Sequence, residues 1–282
     1  MKKFINKILI FLVVILSVAS ILVSARIISA KTYSWNLPEG KHILFLGASH
    51  VARGIDDSRT VSAYNWAKPS ERYMFTYIKI KEILDSKSLV DTIFLECAPT
   101  DLWEHTDDKY HSANEGSIYA PMYWPYLGKE EISCYKGEYL QTINLIASKM
   151  LEPDYYIHSE FKTLMGGYAP LTDEMDSSKV KEEIQEGTSG HEINYRYLRK
   201  IIDLCKKEDI KLYLLYCPVY KPELCYDQDY YYDAYKKYFS DVELLDYSHL
   251  PMEDYERYDA HHLNKRGAEI FTDSLMRRFN IR

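Results

Sequence analysis

Two short polar stretches at opposite ends of the chain carry side chains that together could perform nucleophilic catalysis. Ser49 lies in Gly47-Ala48-Ser49-His50, directly after the apolar run 42–46 (HILFL). A serine that leaves a buried strand and enters a helix has an exposed hydroxyl with free helix amides beside it. Serine is also common there simply as a helix cap. The second stretch, Asp259-Ala260-His261-His262-Leu263-Asn264, tips the balance towards chemistry. An Asp three residues before a His can reach its ring nitrogen within a turn, fixing the tautomer and stabilising the imidazolium. Ser49 as nucleophile, His262 as general base and Asp259 as its orienting carboxylate make a complete set. His261 competes with His262, and the three-residue spacing from Asp259 favours His262. Asn264 reads as the cap of the last helix.

Other polar clusters are weaker. His50 follows the nucleophile and suits substrate contact as well as capping or packing. His105, Asp107, Asp108 and His111 lack helical periodicity and a Cys partner, and read as a solvated loop. Asp101 and Glu104 form a carboxylate pair of the glycosidase kind with no other support for glycoside cleavage. Tyrosine is over-used, with 27 copies in the chain, and Tyr230, Tyr231, Tyr232, Tyr235 and Tyr238 suit either a sugar-facing surface or helix packing. Five cysteines show neither a CxxC pair nor a His at zinc-finger spacing, and an odd number argues against a full disulfide framework. No metal or cofactor is expected.

The elements that must position Ser49, Asp259 and His262 alternate between strand and helix. Runs 42–46, 91–97 (DTIFLEC), 211–217 (KLYLLYC) and 242–245 read as buried strands. Apolar spacing predicts helices over 70–84 with Ser70 as N-cap, 139–150, 193–208 and 264–279. Alternation of this kind means α/β architecture, a parallel sheet covered on both faces. Residues 103–192 are less regular and begin with an aromatic-rich excursion over 103–135. No repeat or linker divides residues 31–282, which read as one domain.

Lys2, Lys3 and Lys7 precede an uncharged run, 8–25, dominated by Ile, Leu and Val. Its 18 residues approach the length of a membrane span and exceed most signal-peptide cores. Residues 1–30 therefore read as a signal anchor with a cytoplasmic N-terminus and an extracytoplasmic body. Val23-Ser24-Ala25 keeps cleavage and secretion as the alternative. Four of the 35 basic side chains, and none of the 42 acidic ones, fall in those first thirty residues. The body is thus more acidic than the net charge of −7 suggests, which excludes a typical nucleic-acid binder.

An α/β-hydrolase would need Gly-x-Ser-x-Gly in mid-chain, and position 51 is valine. The chain order found here instead resembles the SGNH (GDSL-like) hydrolase superfamily, over roughly residues 42–280. Phe45-Leu46-Gly47-Ala48-Ser49-His50 resembles the nucleophile block, with Ala48 where Asp usually stands. Asn65-Trp66-Ala67-Lys68-Pro69-Ser70 resembles the second block, with Ser70 in place of the glycine whose amide donates to the oxyanion. Leu95-Glu96-Cys97-Ala98-Pro99-Thr100-Asp101 resembles the third, with Thr100 where an asparagine side chain normally donates. Asp259-Ala260-His261-His262 matches the last block without a departure. The resemblance implies a flavodoxin-like, three-layer α/β/α fold. It also implies a Ser49–His262–Asp259 triad, with Ser70 and Thr100 as oxyanion donors.

Together with the N-terminal anchor, the resemblance implies an exported esterase or O-acyltransferase acting on an envelope polysaccharide. The expected partner is an acylated envelope glycan. The competing expectation is a non-catalytic, glycan-binding partner of a membrane-bound acyltransferase. The complete Ser-His-Asp set favours the first, and the missing asparagine at position 100 favours the second.

Overall fold

The computed structural model describes residues 1–102, 119–135, 139–150, 165–180 and 192–281. His105, Asp107, Asp108, His111 and Glu104 lie outside them.

The first helix, α1 (Lys2–Thr32), is long and apolar enough to cross a membrane, and none of its most apolar 18-residue window is buried. Eighteen helical residues span roughly 27 Å, close to a bilayer's hydrocarbon core. One turn further on, α1 meets the body. Arg26 is buried and donates from Nη2 to the Met122 carbonyl at 2.8 Å. The Tyr126 hydroxyl donates to the Ala30 carbonyl.

The body is built on β1 (Ile43–Leu46), α2 (Ser49–Gly54), β2 (Ala63–Asn65), α3 (Tyr73–Asp85) and β3 (Thr92–Glu96). There follow α4 (Tyr139–Met150), α5 (Glu192–Lys207), β4 (Lys211–Tyr216), α6 (Gln228–Tyr238), β5 (Leu244–Asp246) and α7 (Lys265–Phe279). The strands form one sheet in the order β2-β1-β3-β4-β5, every pair parallel. This is the doubly wound order, with its topological switch between β1 and β3.

Strand side chains alternate between the two faces, as a pleated sheet requires. Leu44, Leu46, Ile93, Leu95, Leu214 and Tyr216 pack with α3, α5 and α6 on one side. Ile43, Phe45, Phe94, Tyr213, Leu215 and Leu245 pack with α2 and α7 on the other. The α/β/α layering expected from strand–helix alternation is the fold found.

Two details differ from the sequence reading. Strand β2 has only three residues and pairs with β1 alone, too short for a period-two pattern to reveal it. Helix α3 begins at Tyr73, not at 70, and its N-cap is Arg72. Ser70 is not a cap, because its backbone sits in the left-handed region at φ 64. Of the two expectations for the tyrosines of α6, packing describes four, and Tyr238 is exposed. Tyr231 is fully buried and donates to the Cys97 carbonyl, and Tyr230, Tyr232 and Tyr235 lie against the same core.

Among the described residues all five cysteines are free thiols. Burial pushes the Cys97 and Cys205 thiols up to about 12.

Candidate active site

Ser49 is the first residue of α2, at the carboxyl end of β1 and beside the switch point. Asp259 and His262 lie in the turn that enters α7. That turn is closed by the Tyr258 amide donating to the His262 carbonyl at 2.9 Å. Asn264 then caps α7, accepting from the Arg266 and Gly267 amides. Its Nδ2 donates to the carbonyls of Tyr255, Arg257 and Asp173. One buried asparagine thus starts the helix and holds the loop that carries the histidine.

The structure brings the three residues together in series. His262 Nε2 lies 2.9 Å from Ser49 Oγ, and His262 Nδ1 lies 3.0 Å from both carboxylate oxygens of Asp259. Asp259 Oδ1 also accepts the amides of His261 and His262, each at 2.8 Å. Partial burial alone would raise the Asp259 pKa; the hydrogen bonds and charge of His262, with the two amides, hold it down at about 2. The carboxylate is therefore ionised at any ordinary pH, as an orienting group must be.

His261 turns away from Ser49. Its Nδ1 meets the Tyr226 hydroxyl at 2.7 Å. Burial, and then the neighbouring charge of His50, lower its pKa to about 4. A neutral ring locked to a tyrosine is no rival base.

Ser70 and Thr100 are placed differently from each other. Neither the Ser49 nor the Ser70 amide has an acceptor among the described residues. The left-handed backbone at Ser70 is one that glycine adopts freely and serine only with strain. Thr100 sits in the single 3-10 turn Pro99–Asp101, and its side chain makes no hydrogen bond among the described residues.

The residue that sequence reasoning missed is Glu96, the last of β3. Its carboxylate is buried, 1% exposed, beneath the nucleophile turn. Oε2 accepts the Ala48 and Val51 amides at 2.8 and 3.0 Å, and Oε1 meets His50 Nδ1 at 2.7 Å. Burial opposes the charge on Glu96, but His50 and the two amides outweigh it, and the carboxyl is held below its ordinary value. The signal was an acidic residue at the end of the apolar run DTIFLEC.

Asp101 is likewise buried. It accepts the Ala98 amide at 2.9 Å and pairs with Arg72 at 3.4 Å. Burial and the nearby Glu96 charge push its pKa up to about 7, against the pull of Arg72. Asp101 is thus a buried ion-pair partner of Arg72, and the Asp101–Glu104 pair falls outside the described residues. Among the described residues no three metal-ligating side chains converge.

Such an arrangement can deprotonate the Ser49 hydroxyl and hold the resulting imidazolium against a carboxylate. A protein-family model matches residues 169–281, a stretch that holds Asp259 and His262 but not Ser49 and is less than half of the chain. No curated protein matches the sequence. Among solved structures, the chain is similar to a Bacteroides fragilis protein provisionally described as an acylhydrolase. The identity is 9% and the TM-score 0.40, over 89% of this chain and 92% of that one, a likeness too slight to carry an argument.

Proposed function

We propose that the protein is an SGNH-type serine acyl-ester hydrolase or O-acyltransferase. The observation that carries this reading is the unbroken hydrogen-bonded series Ser49–His262–Asp259 at the sheet's switch point. Ser49 Oγ bonds to the ester carbonyl carbon while its proton passes to His262 Nε2, and the carbonyl electron pair moves to oxygen. Collapse of that oxyanion expels the alcohol, which takes the proton from His262, and leaves an acyl-Ser49. Water, or a sugar hydroxyl, then gives its proton to His262 and attacks the acyl carbon; the bond to Ser49 Oγ breaks, that oxygen takes the proton back from His262, and acid or acylated sugar is released.

The substrate class follows from location. A chain anchored by α1 with its body outside the cytoplasm meets envelope glycans, and we take an acylated envelope polysaccharide as the substrate or acceptor. Fractionation should find the protein in the membrane, with the body sensitive to protease only from the outer side. Recovery in the soluble cytoplasm would remove the envelope assignment.

The experiment for the chemistry is labelling with a fluorophosphonate probe, wild type beside Ser49→Ala. Labelling of the wild type alone supports acyl transfer. An inert wild type that binds envelope glycan would instead favour the non-catalytic partner of a membrane-bound acyltransferase. Thr100, whose side chain makes no hydrogen bond among the described residues where an asparagine donor is usual, is the observation on that side.

A further inference from the structure

We propose that His50, held by Glu96, supplies the third oxyanion donor through its Nε2–H, in place of the asparagine amide whose position Thr100 occupies. The inference rests on the acyl-transfer reading and names a residue that the Ser49–His262–Asp259 series does not include.

Four observations converge on this residue. His50 follows Ser49 directly and is nine-tenths buried, with 8% exposure. Its Nδ1 is tied to Glu96, whose other oxygen holds the amides on either side of Ser49, so His50 and the nucleophile turn move as one unit. Its ring lies nearly parallel to that of His262, with centroids 5.4 Å apart and planes at 23°, so it stands beside the base that touches Ser49 Oγ. Its Nε2 is buried and has no hydrogen-bond partner among the described residues. Buried polar atoms are almost always paired, and an orphan beside a reactive serine calls for a ligand atom.

The protonation state matters, because Nδ1–H is committed to Glu96 and only the imidazolium also carries a hydrogen on Nε2. Burial by itself favours the neutral ring. The charge and hydrogen bond of Glu96 outweigh it, helped by Asp101 and Asp259, and the His50 pKa lies above its ordinary value. The surrounding groups are Glu96 at the end of β3, Asp101 paired with Arg72, and His261, His262 and Asp259 from the turn before α7. Of these, the three carboxylates favour a charged His50, and His261 is neutral. An imidazolium fixed in a water-poor site is a strong donor to a developing oxyanion, and it costs no reorganisation during the reaction. His50 keeps its proton throughout; the proton that moves is the one from Ser49 to His262.

The test is hydrolysis of para-nitrophenyl acetate by the full chain in detergent, from about pH 5 to about pH 9, with fluorophosphonate labelling in parallel. His50→Ala should lower kcat on the order of a hundredfold with KM nearly unchanged. His50→Asn, which restores a neutral donor, should recover much of that loss. Wild-type activity should fall on the alkaline side as His50 loses its proton. His50→Asn should lack that fall, and Glu96→Gln should move it to lower pH, since the carboxylate that raises the His50 pKa is gone. A His50→Ala enzyme with wild-type kcat would overturn the proposal. So would an alkaline fall that persists in His50→Asn, or a loss in His50→Ala that His50→Asn does not relieve. A wild type unlabelled at Ser49 would remove the acyl-transfer reading and this inference together; Ser49-dependent labelling indifferent to His50 would remove the inference alone.

Discussion

Gly47 and Glu96 are locked face to face: a Cβ at position 47 would lie 2.2 Å from the Glu96 Cβ and 3.0 Å from Oε2. Gly47 also has φ 136, a backbone that other residues rarely adopt. The chain needs both properties, because β1 must end and turn within two residues to set Ser49 over the Glu96 carboxylate. Gly47→Ala is therefore expected to disturb the nucleophile turn while the sheet stays intact. Fluorophosphonate labelling should drop on the order of a hundredfold or more with the far-ultraviolet circular dichroism spectrum retained. Normal labelling would mean that the turn tolerates displacement.

The two adjacent histidines separate by partner. His262→Ala breaks the contact with Ser49 Oγ and should abolish ester turnover. His261→Ala removes a ring bonded to Tyr226 and should cost about tenfold at most. Equal losses in the two variants, each still folded by thermal melting, would show the base to be misassigned.

Thr100 makes no hydrogen bond among the described residues, so Thr100→Val is expected to leave kcat within about threefold of wild type. A hundredfold loss on para-nitrophenyl acetate would place the threonine hydroxyl on the carbonyl oxygen and return it to the role its block position implies.

Two buried groups pull stability in opposite directions between about pH 4 and about pH 7: His261, lowered to about 4, makes it rise with pH up to its ordinary 6.5, and Asp101 makes it fall. The folded pKa of Asp101, about 7, is above the ordinary 3.8, so the folded protein holds a proton that the unfolded chain has lost between those values. Stability linked to Asp101 is thus full below about pH 4 and declines up to about pH 7. His50, also raised, continues the trend from its ordinary 6.5 upward. Asp101→Asn should remove the falling contribution, so that the melting temperature rises from about pH 4 to about pH 6.5 under His261 alone, while leaving the later decline. A profile unchanged by Asp101→Asn would assign the slope elsewhere.

Lys79 and Glu71 form a fully buried ion pair at 2.9 Å behind the second block. Lys79 also donates to the carbonyls of Trp66 and Met165, while Glu71 accepts from Thr76 and Tyr123. Burial lowers the Lys79 pKa, against the pull of Glu71. Glu71→Gln leaves a buried ammonium without its counter-charge and should destabilise the body by about 3–5 kcal/mol in denaturant unfolding. A loss below about 1 kcal/mol would mean that water reaches the ammonium in the variant.

Much of this molecule is written in local patterns. Apolar runs of four to seven residues that end at glycine, proline or an acidic residue mark the strands β1, β3 and β4, because a parallel strand buried on both faces leaves no choice of residue type. The 3.6-residue spacing at Tyr197, Leu198, Ile201 and Ile202 marks α5, and the uncharged run 8–25 marks α1. The spacing of Asp259 and His262 is legible for the same reason, since their contact closes within one turn. What sequence could not show is whatever depends on contacts distant along the chain. Ser49 meets His262 across 213 positions only because the parallel order 2-1-3-4-5 brings the end of β1 beside the turn before α7. The left-handed backbone at Ser70 and the Glu96–His50 pair are likewise set by tertiary packing. A carboxylate at a strand end reads as an ordinary polar stop until the fold buries it under the nucleophile, where low dielectric and two amides turn it into the anchor of the site.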